Sequence, residues 1–246
     1  MSPRVLLLAG HEPTGRAGLL ADVAAVRARG GLPVAVPTAQ TAQGTATFTW
    51  LASAPRILAA QVAAACELGP LHAVKWGMVP GPAQLAAASR ALAGMDAWWV
   101  VDPVVRTSRG ESLSRLSARG YLALAGPRVV LTPNLDEAAW LLRRPVARTV
   151  DEAVEAATAL ARYGFGAVLV KGGHLPDVEG LADVLATPAR VRVLHGKWLA
   201  RTPGRRGTGC RLASALATEL GRGRTLDTAV RAARELVVRY LRTGTE

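Results

Sequence analysis

The residues whose types and spacing best suit chemistry are Gly207-Thr208-Gly209-Cys210, followed at once by the helical pattern Leu212, Leu216, Leu220. The flanking glycines let the backbone approach a ligand closely or take a positive φ. A helix that starts here points its first N–H groups, and the positive end of its dipole, into the loop. That arrangement is an anion hole. Cys210 stands at its rim, where a thiolate is expected to be favoured over a thiol. The same letters also suit a plain helix entry, with Cys210 as a small buried hydrophobe.

Short β-type runs alternate with helical stretches rich in Ala, Leu and Arg. The strand candidates are 5–9, 34–37, 73–76, 98–101, 129–132 and 167–170; helical patterns cover 18–29, 83–93, 136–142 and 150–162. This βαβα order predicts a mostly parallel sheet covered by helices on both faces. Late in the chain, 183–186, 191–194 and 198–201 read as antiparallel strands, with His195-Gly196-Lys197 as a turn. Helices resume after Gly207. In open α/β sheets, ligands bind beyond the carboxyl ends of the strands, and chemically useful residues fall there. They are Gly10-His11-Glu12-Pro13, Gln43, Gly77-Met78, Asp102-Pro103, Asn134 with Glu137, and Lys171-Gly172-Gly173.

The 246 residues, half of them hydrophobic, suffice for one domain, 1–246, with a large core. No apolar run reaches membrane-spanning length, and Val5–Ala9 is too short for a secretory signal, so a cytoplasmic protein is expected. Cys66 and Cys210 lie far apart, and His11, His72, His174 and His195 lack ligand spacing, which argues against a disulfide framework or a zinc site. The net charge of +12 raises nucleic-acid binding. Its arginines are scattered rather than massed, so no nucleic-acid or membrane partner is expected. A positive field also attracts phosphate-bearing ligands.

No P-loop or complete dinucleotide fingerprint is present. Taken in order, however, a set of segments resembles the hydroxymethylpyrimidine/phosphomethylpyrimidine kinases of thiamine biosynthesis, a branch of the ribokinase-like superfamily. The set comprises Ala9–Gly18 with Ala21-Asp22, Thr41–Thr45, Lys75–Met78, Val101–Val104, Thr132–Ala138, Val170–Leu175 and Gly207–Cys210. Cys210 points to this branch, since most ribokinase relatives carry Asp there. The resemblance implies a three-layer α/β/α sandwich, ATP and Mg2+ as cofactors, a small pyrimidine substrate and a homodimer.

It also implies roles. Cys210 would take the proton from the acceptor hydroxymethyl group, and the amides of Gly207, Thr208, Gly209 and Cys210 would bind the phosphoryl group in flight. Asp102 and Glu137 would serve magnesium, directly or through water. Lys171, Asn134 and Glu137 would serve the nucleotide. Gly10, Asp22, Gln43, Met78 and Val104 would form the acceptor pocket. There Gln43 reads the ring edge, Asp22 holds the ring amino group or positions the loop, and Met78 and Val104 are apolar walls. Plainer roles exist beside these: Asn134 as an N-cap, Glu137 complementing a helix dipole, Asp102 as a turn residue, Lys171 as a solvated lysine.

Several positions depart from the family pattern. The glycine loop carries His11, Glu12 and Arg16; Leu20 and Gly44 replace Gln and Asn; Arg206 and Arg211 replace His and Thr around Gly-Thr-Gly-Cys. Arg16 or Arg211 would favour a phosphorylated acceptor. The alternatives are a pyridoxal kinase, whose substrate has a similar ring and hydroxymethyl group, and a degenerate relative that binds a thiamine precursor without turning it over.

Overall fold

The structure, a computed structural model, describes residues 1–107, 109–173, 175, 180–196 and 205–245. In chain order its elements are β1 (Arg4–His11), α1 (Gly18–Ala28), β2 (Leu32–Gln43), β3 (Phe48–Ala52), α2 (Pro55–Glu67), β4 (Ala73–Trp76), α3 (Pro82–Ala91), β5 (Trp98–Val101), α4 (Ala118–Leu122), β6 (Val129–Leu131), α5 (Leu135–Leu142), α6 (Val150–Ala161), β7 (Ala167–Val170), β8 (Leu181–Ala186), β9 (Val191–Gly196), α7 (Thr208–Gly221) and α8 (Leu226–Thr243). They fall into two compact units, Met1–Leu116 with Arg201–Glu246, and Ser117–Ala200.

In the first unit β1 pairs in parallel with β2 on one side and β4 on the other, and β4 pairs in parallel with β5. The Val5–Ala9 run is almost wholly buried, as a continuous apolar strand covered on both faces must be. Its register against β2 shifts between Ala9 and Gly10, so the strand changes course where the glycine loop begins. β3 is an antiparallel edge strand folded back on β2. Helix α7 packs on α1 and lies along β1, β4 and β5. It is buried from Arg211 to Leu220. Small residues, Ala213, Ala215 and Ala217, alternate with its larger ones and permit that close fit. Amphipathic α8 packs Ala229, Val230, Ala233, Leu236 and Tyr240 inward, against α7.

In the second unit β6 and β7 are parallel, β8 adds antiparallel to β7, and β9 antiparallel to β8. Asn134 caps α5 in a capping box with Glu137, and Thr149 caps α6. Helix α6 packs on β7, β8 and β9.

The expected mostly parallel architecture with late antiparallel strands is present. Strands β4, β5 and β7 coincide with the residues read from sequence. One late reading changes: His195 and Gly196 belong to β9 rather than to a turn. β9 pairs on through Ala182↔His195 and Leu181↔Gly196, and that backbone pairing outweighs glycine's preference for a turn. Lys197 and the strand expected over 198–201 lie outside the described residues, as does His174.

Candidate active site

The centre of the first unit is an ion pair with no access to water. Lys75, on β4, donates to both carboxylate oxygens of Asp22, on α1, at 2.9 and 2.8 Å, and both side chains are fully buried. Ser214 of α7 donates to the same carboxylate at 2.8 Å. Burial works to push the lysine pKa down, but the charges of Asp22, Cys210 and Asp102 outweigh it and raise it above its ordinary value. Lys75 is therefore a fixed cation. The Asp22 oxygens are thus engaged by Lys75 and Ser214, from β4 and α7.

Cys210 shares that environment. Burial pushes its thiol up to about 11, and the carboxylates of Asp22 and Asp102 push the same way. Lys75 and a hydrogen bond from the Gly18 amide pull it down without prevailing. The expectation of a thiolate favoured by the helix dipole is thus corrected. The dipole is a surface-scale effect of about 0.3–1 kcal/mol, and desolvation beside two carboxylates exceeds it. Asp102 itself is buried just past β5.

Two loops flank the thiol. In the first, the Glu12 carboxylate accepts from the Thr14 amide at 2.9 Å, the Thr14 hydroxyl at 2.6 Å and the Arg16 amide at 3.1 Å. Burial raises its pKa, but these bonds, with one from the Ala17 amide, outweigh it and hold the carboxyl below the usual range. Glu12 is the organiser of the glycine loop, a role not evident from sequence. In the second, Gly207 has φ +74, and a Cβ there would meet the Arg16 carbonyl oxygen at 2.4 Å. Only glycine permits both the left-handed backbone and the contact between the two loops.

The helices behind these loops, α1 and α7, have no side-chain cap and no acidic residue in the first turn. Helices α2 and α3 also lack a capping side chain but begin with proline, and the other helices are capped by Ser117, Asn134, Thr149 and Thr225. Among the described helices, α1 and α7 alone present bare N-termini without proline. The α1 terminus already serves Cys210 through Gly18.

Among the residues expected to form an acceptor pocket, Gly10 lies against Met78, whose sulfur is 2.6 Å from where a Cβ would stand. Met78 clusters with Ala39 and Leu113, and Phe48, Trp50 and Val104 pack around them. The expected walls Met78 and Val104 are thus brought together. Phe48 and Trp50, on the unforeseen β3, add aromatic surface. The Gln43 carboxamide is held at both ends: its nitrogen donates to the Thr41 hydroxyl at 3.2 Å, and its oxygen accepts from Arg206 at 2.9 Å. Arg211 does not present its charge to an acceptor. It is 4% exposed and lies over the Tyr240 ring. Arg16 is exposed.

In the second unit, the Asn134 side chain accepts from the Glu137 amide at 2.8 Å, and the Glu137 carboxylate accepts from the Asn134 amide at 2.7 Å. The same carboxylate oxygen lies 3.8 Å from Lys171 Nζ. The Lys171 amide bonds the Pro133 carbonyl at 2.8 Å, fixing the lysine beside the α5 terminus. Asn134, Glu137 and Lys171 therefore form one cluster, in which the capping role is present. Among the described residues no group of three or more His, Cys, Asp or Glu could hold a metal by itself. Single hard carboxylates such as Asp102 and Glu137 still fit magnesium, which keeps water and phosphate oxygens as its other ligands.

Comparison with known proteins gives a consistent result. A family model described as phosphomethylpyrimidine kinase matches residues 12–246. The chain is 36% identical over 237 residues to a hydroxymethylpyrimidine/phosphomethylpyrimidine kinase of Rhizobium meliloti, covering 95% of this chain and 88% of that one. It is 34% identical over 233 residues to the thiamine biosynthesis multifunctional protein ThiED of Corynebacterium glutamicum, covering 93% of this chain and 30% of that longer protein. The solved ADP complex of Bacillus subtilis pyridoxal kinase matches with a TM-score of 0.86 at 26% identity, over 97% of this chain and 91% of that one.

Two outcomes follow from the buried charges. Lys75→Met leaves the buried Asp22 carboxyl without its partner and should destabilise the protein by about 3–5 kcal/mol in urea unfolding. Adding Asp22→Leu should restore most of that loss, and no recovery would show that the pair is not the source. Iodoacetamide should modify Cys210 more slowly at pH 7.5 than a free thiol, whose pKa is about 8.5. Followed by peptide mapping, the rate should climb toward pH 11. A plateau reached below pH 8 would contradict the raised pKa.

Proposed function

The chain belongs to the phosphomethylpyrimidine kinase family and is a phosphotransferase of thiamine biosynthesis, and from that premise we propose how its residues divide the work. The donor is ATP. The acceptor is the hydroxymethyl group of 4-amino-5-hydroxymethyl-2-methylpyrimidine, its monophosphate, or both in turn. The chain acts as one ribokinase-like domain, 1–246, in the cytoplasm and as a homodimer. No helix among the described residues is long and apolar enough to cross a membrane.

One observation supports this reading above the others: Cys210 lies in the first turn of uncapped α7, and its sulfur accepts from the Gly18 amide at the uncapped start of α1. Phosphoryl transfer asks little covalent chemistry of a protein and much positioning of charge. The Gly207–Cys210 amides and the α7 dipole receive the phosphoryl oxygens. As the new O–P bond forms and the bond to the departing ADP oxygen breaks, the acceptor hydroxyl gives its proton to the Cys210 sulfur. Lys75 lies below as a permanent positive charge and favours the thiolate that accepts it. Lys171 and the Asn134–Glu137 turn hold the nucleotide phosphates. Asp102 and Glu137 are the carboxylates that would serve magnesium, directly or through water, and the ion would supply neutralisation of phosphate charge. Met78, Val104, Phe48 and Trp50 sandwich the ring, Gly10 gives it room, and Gln43 addresses its edge.

Cys210→Ala should lower turnover by about 10²–10⁴-fold, the usual contribution of a positioned general base, while AMP-PCP affinity stays near wild type. In the parent enzyme kcat/KM reports the free-enzyme pKa and should rise with pH toward about 11. Cys210→Asp should move that limb into the acidic range. An ADP-release assay on the free pyrimidine alcohol, its monophosphate and pyridoxal checks the acceptor. Turnover of pyridoxal alone would replace the pyrimidine assignment, and full activity of Cys210→Ala would remove the proposed base.

A further inference from the structure

Arg211 follows the catalytic cysteine directly, in the first turn of α7, yet its side chain turns away from the acceptor. Its guanidinium carbon lies 3.8 Å from the centroid of the Tyr240 ring, on α8. One of its nitrogens donates to three carbonyl oxygens: Arg16 at 3.2 Å, Arg206 at 3.2 Å and Gly207 at 3.4 Å. The first belongs to the glycine loop and the other two to the Gly207–Cys210 turn. Tyr240 adds its own bond, hydroxyl to the Arg206 carbonyl at 3.0 Å, while Arg205 donates to the Tyr240 carbonyl at 2.6 Å.

A planar guanidinium suits this place as no other side chain does. It can stack on a ring face and donate in its own plane at the same time. The Arg211 guanidinium also sets a positive charge within one turn of the site that receives a phosphoryl group. Neither helix behind the two loops has a side-chain cap, and the loops' direct meeting, Gly207 on Arg16, is a contact between backbones.

We propose that Arg211, seated on Tyr240, is the positioning residue that locks the Gly207–Cys210 turn to the glycine loop and so fixes the anion-binding amides in their working geometry. It touches neither substrate nor nucleotide and acts through the three carbonyls. The role rests on the phosphoryl-transfer reading of the turn. Misplacement of reacting groups by about 1 Å can cost about 10²-fold in rate, which sets the scale.

The test is a double-mutant cycle on the full chain with Arg211→Lys, Tyr240→Leu and the pair. Arg211→Lys keeps the charge and loses the fork; Tyr240→Leu removes the seat. Each single variant should lower kcat about 10–100-fold, with acceptor KM within about twofold. The double variant should be no worse than the worse single, since one unit is broken either way. Tyr240→Phe, which keeps the ring, should retain kcat within about threefold. Wild-type kcat in Arg211→Lys, or losses that multiply in the double variant, would overturn the proposal. A loss in Tyr240→Phe equal to that in Tyr240→Leu would do the same. If the wild-type chain turns over no acceptor, the kinase reading fails separately, and AMP-PCP calorimetry decides the positioning role. A drop of about tenfold in affinity in Arg211→Lys supports it, and unchanged affinity overturns it.

Discussion

The bond between Lys75 and Asp22 is the constraint around which the first unit is arranged. A charge pair with no solvent access is costly to desolvate, and its mutual attraction offsets that only when geometry and further hydrogen bonds are good. Here the carboxylate receives two contacts from the ammonium and a third from Ser214. Those three residues come from α1, β4 and α7, so the pair fixes a strand and two helices against one another. The helices so fixed are the two with bare N-termini. Their relative placement decides where Cys210 stands, and the same lysine sets part of the field at its sulfur.

The departures from the family pattern make sense against that arrangement. Glu12 gathers the amides of its own loop. Arg206 donates to the Gln43 oxygen and sets the orientation of that carboxamide. Arg211 serves backbone oxygens. Of these three arginines, Arg211 is buried and Arg16 alone is exposed. Their meaning is carried by the partners they find: Gln43 for Arg206 and Tyr240 for Arg211.

Which parts were legible in the sequence follows from range. Strands such as Ala167–Val170 are continuous apolar runs buried throughout, and a local pattern suffices to find them. β3 was hidden because Phe48–Ala52 is a half-buried edge strand, defined by hairpin pairing with the adjoining end of β2 rather than by its own apolarity. The Gly207–Cys210 turn and the Asn134–Glu137 turn were legible because their geometry is local. The Lys75–Asp22 bond was not, because its members lie in different elements and each reads as one polar letter among apolar neighbours. The sign of the Cys210 shift failed for the same reason. The helix dipole belongs to α7 itself, whereas the burial and the carboxylates that outweigh it come from across the fold.

The bare N-termini of α1 and α7 have a consequence for the life of the protein rather than its chemistry. A missing cap costs a helix about 1 kcal/mol, and whatever binds only the native state returns stability in proportion to RT ln(1 + [L]/Kd). On the proposed reading, phosphate-bearing ligands at these termini would return part of that stability, and bound nucleotide would raise the protein's resistance to unfolding and proteolysis.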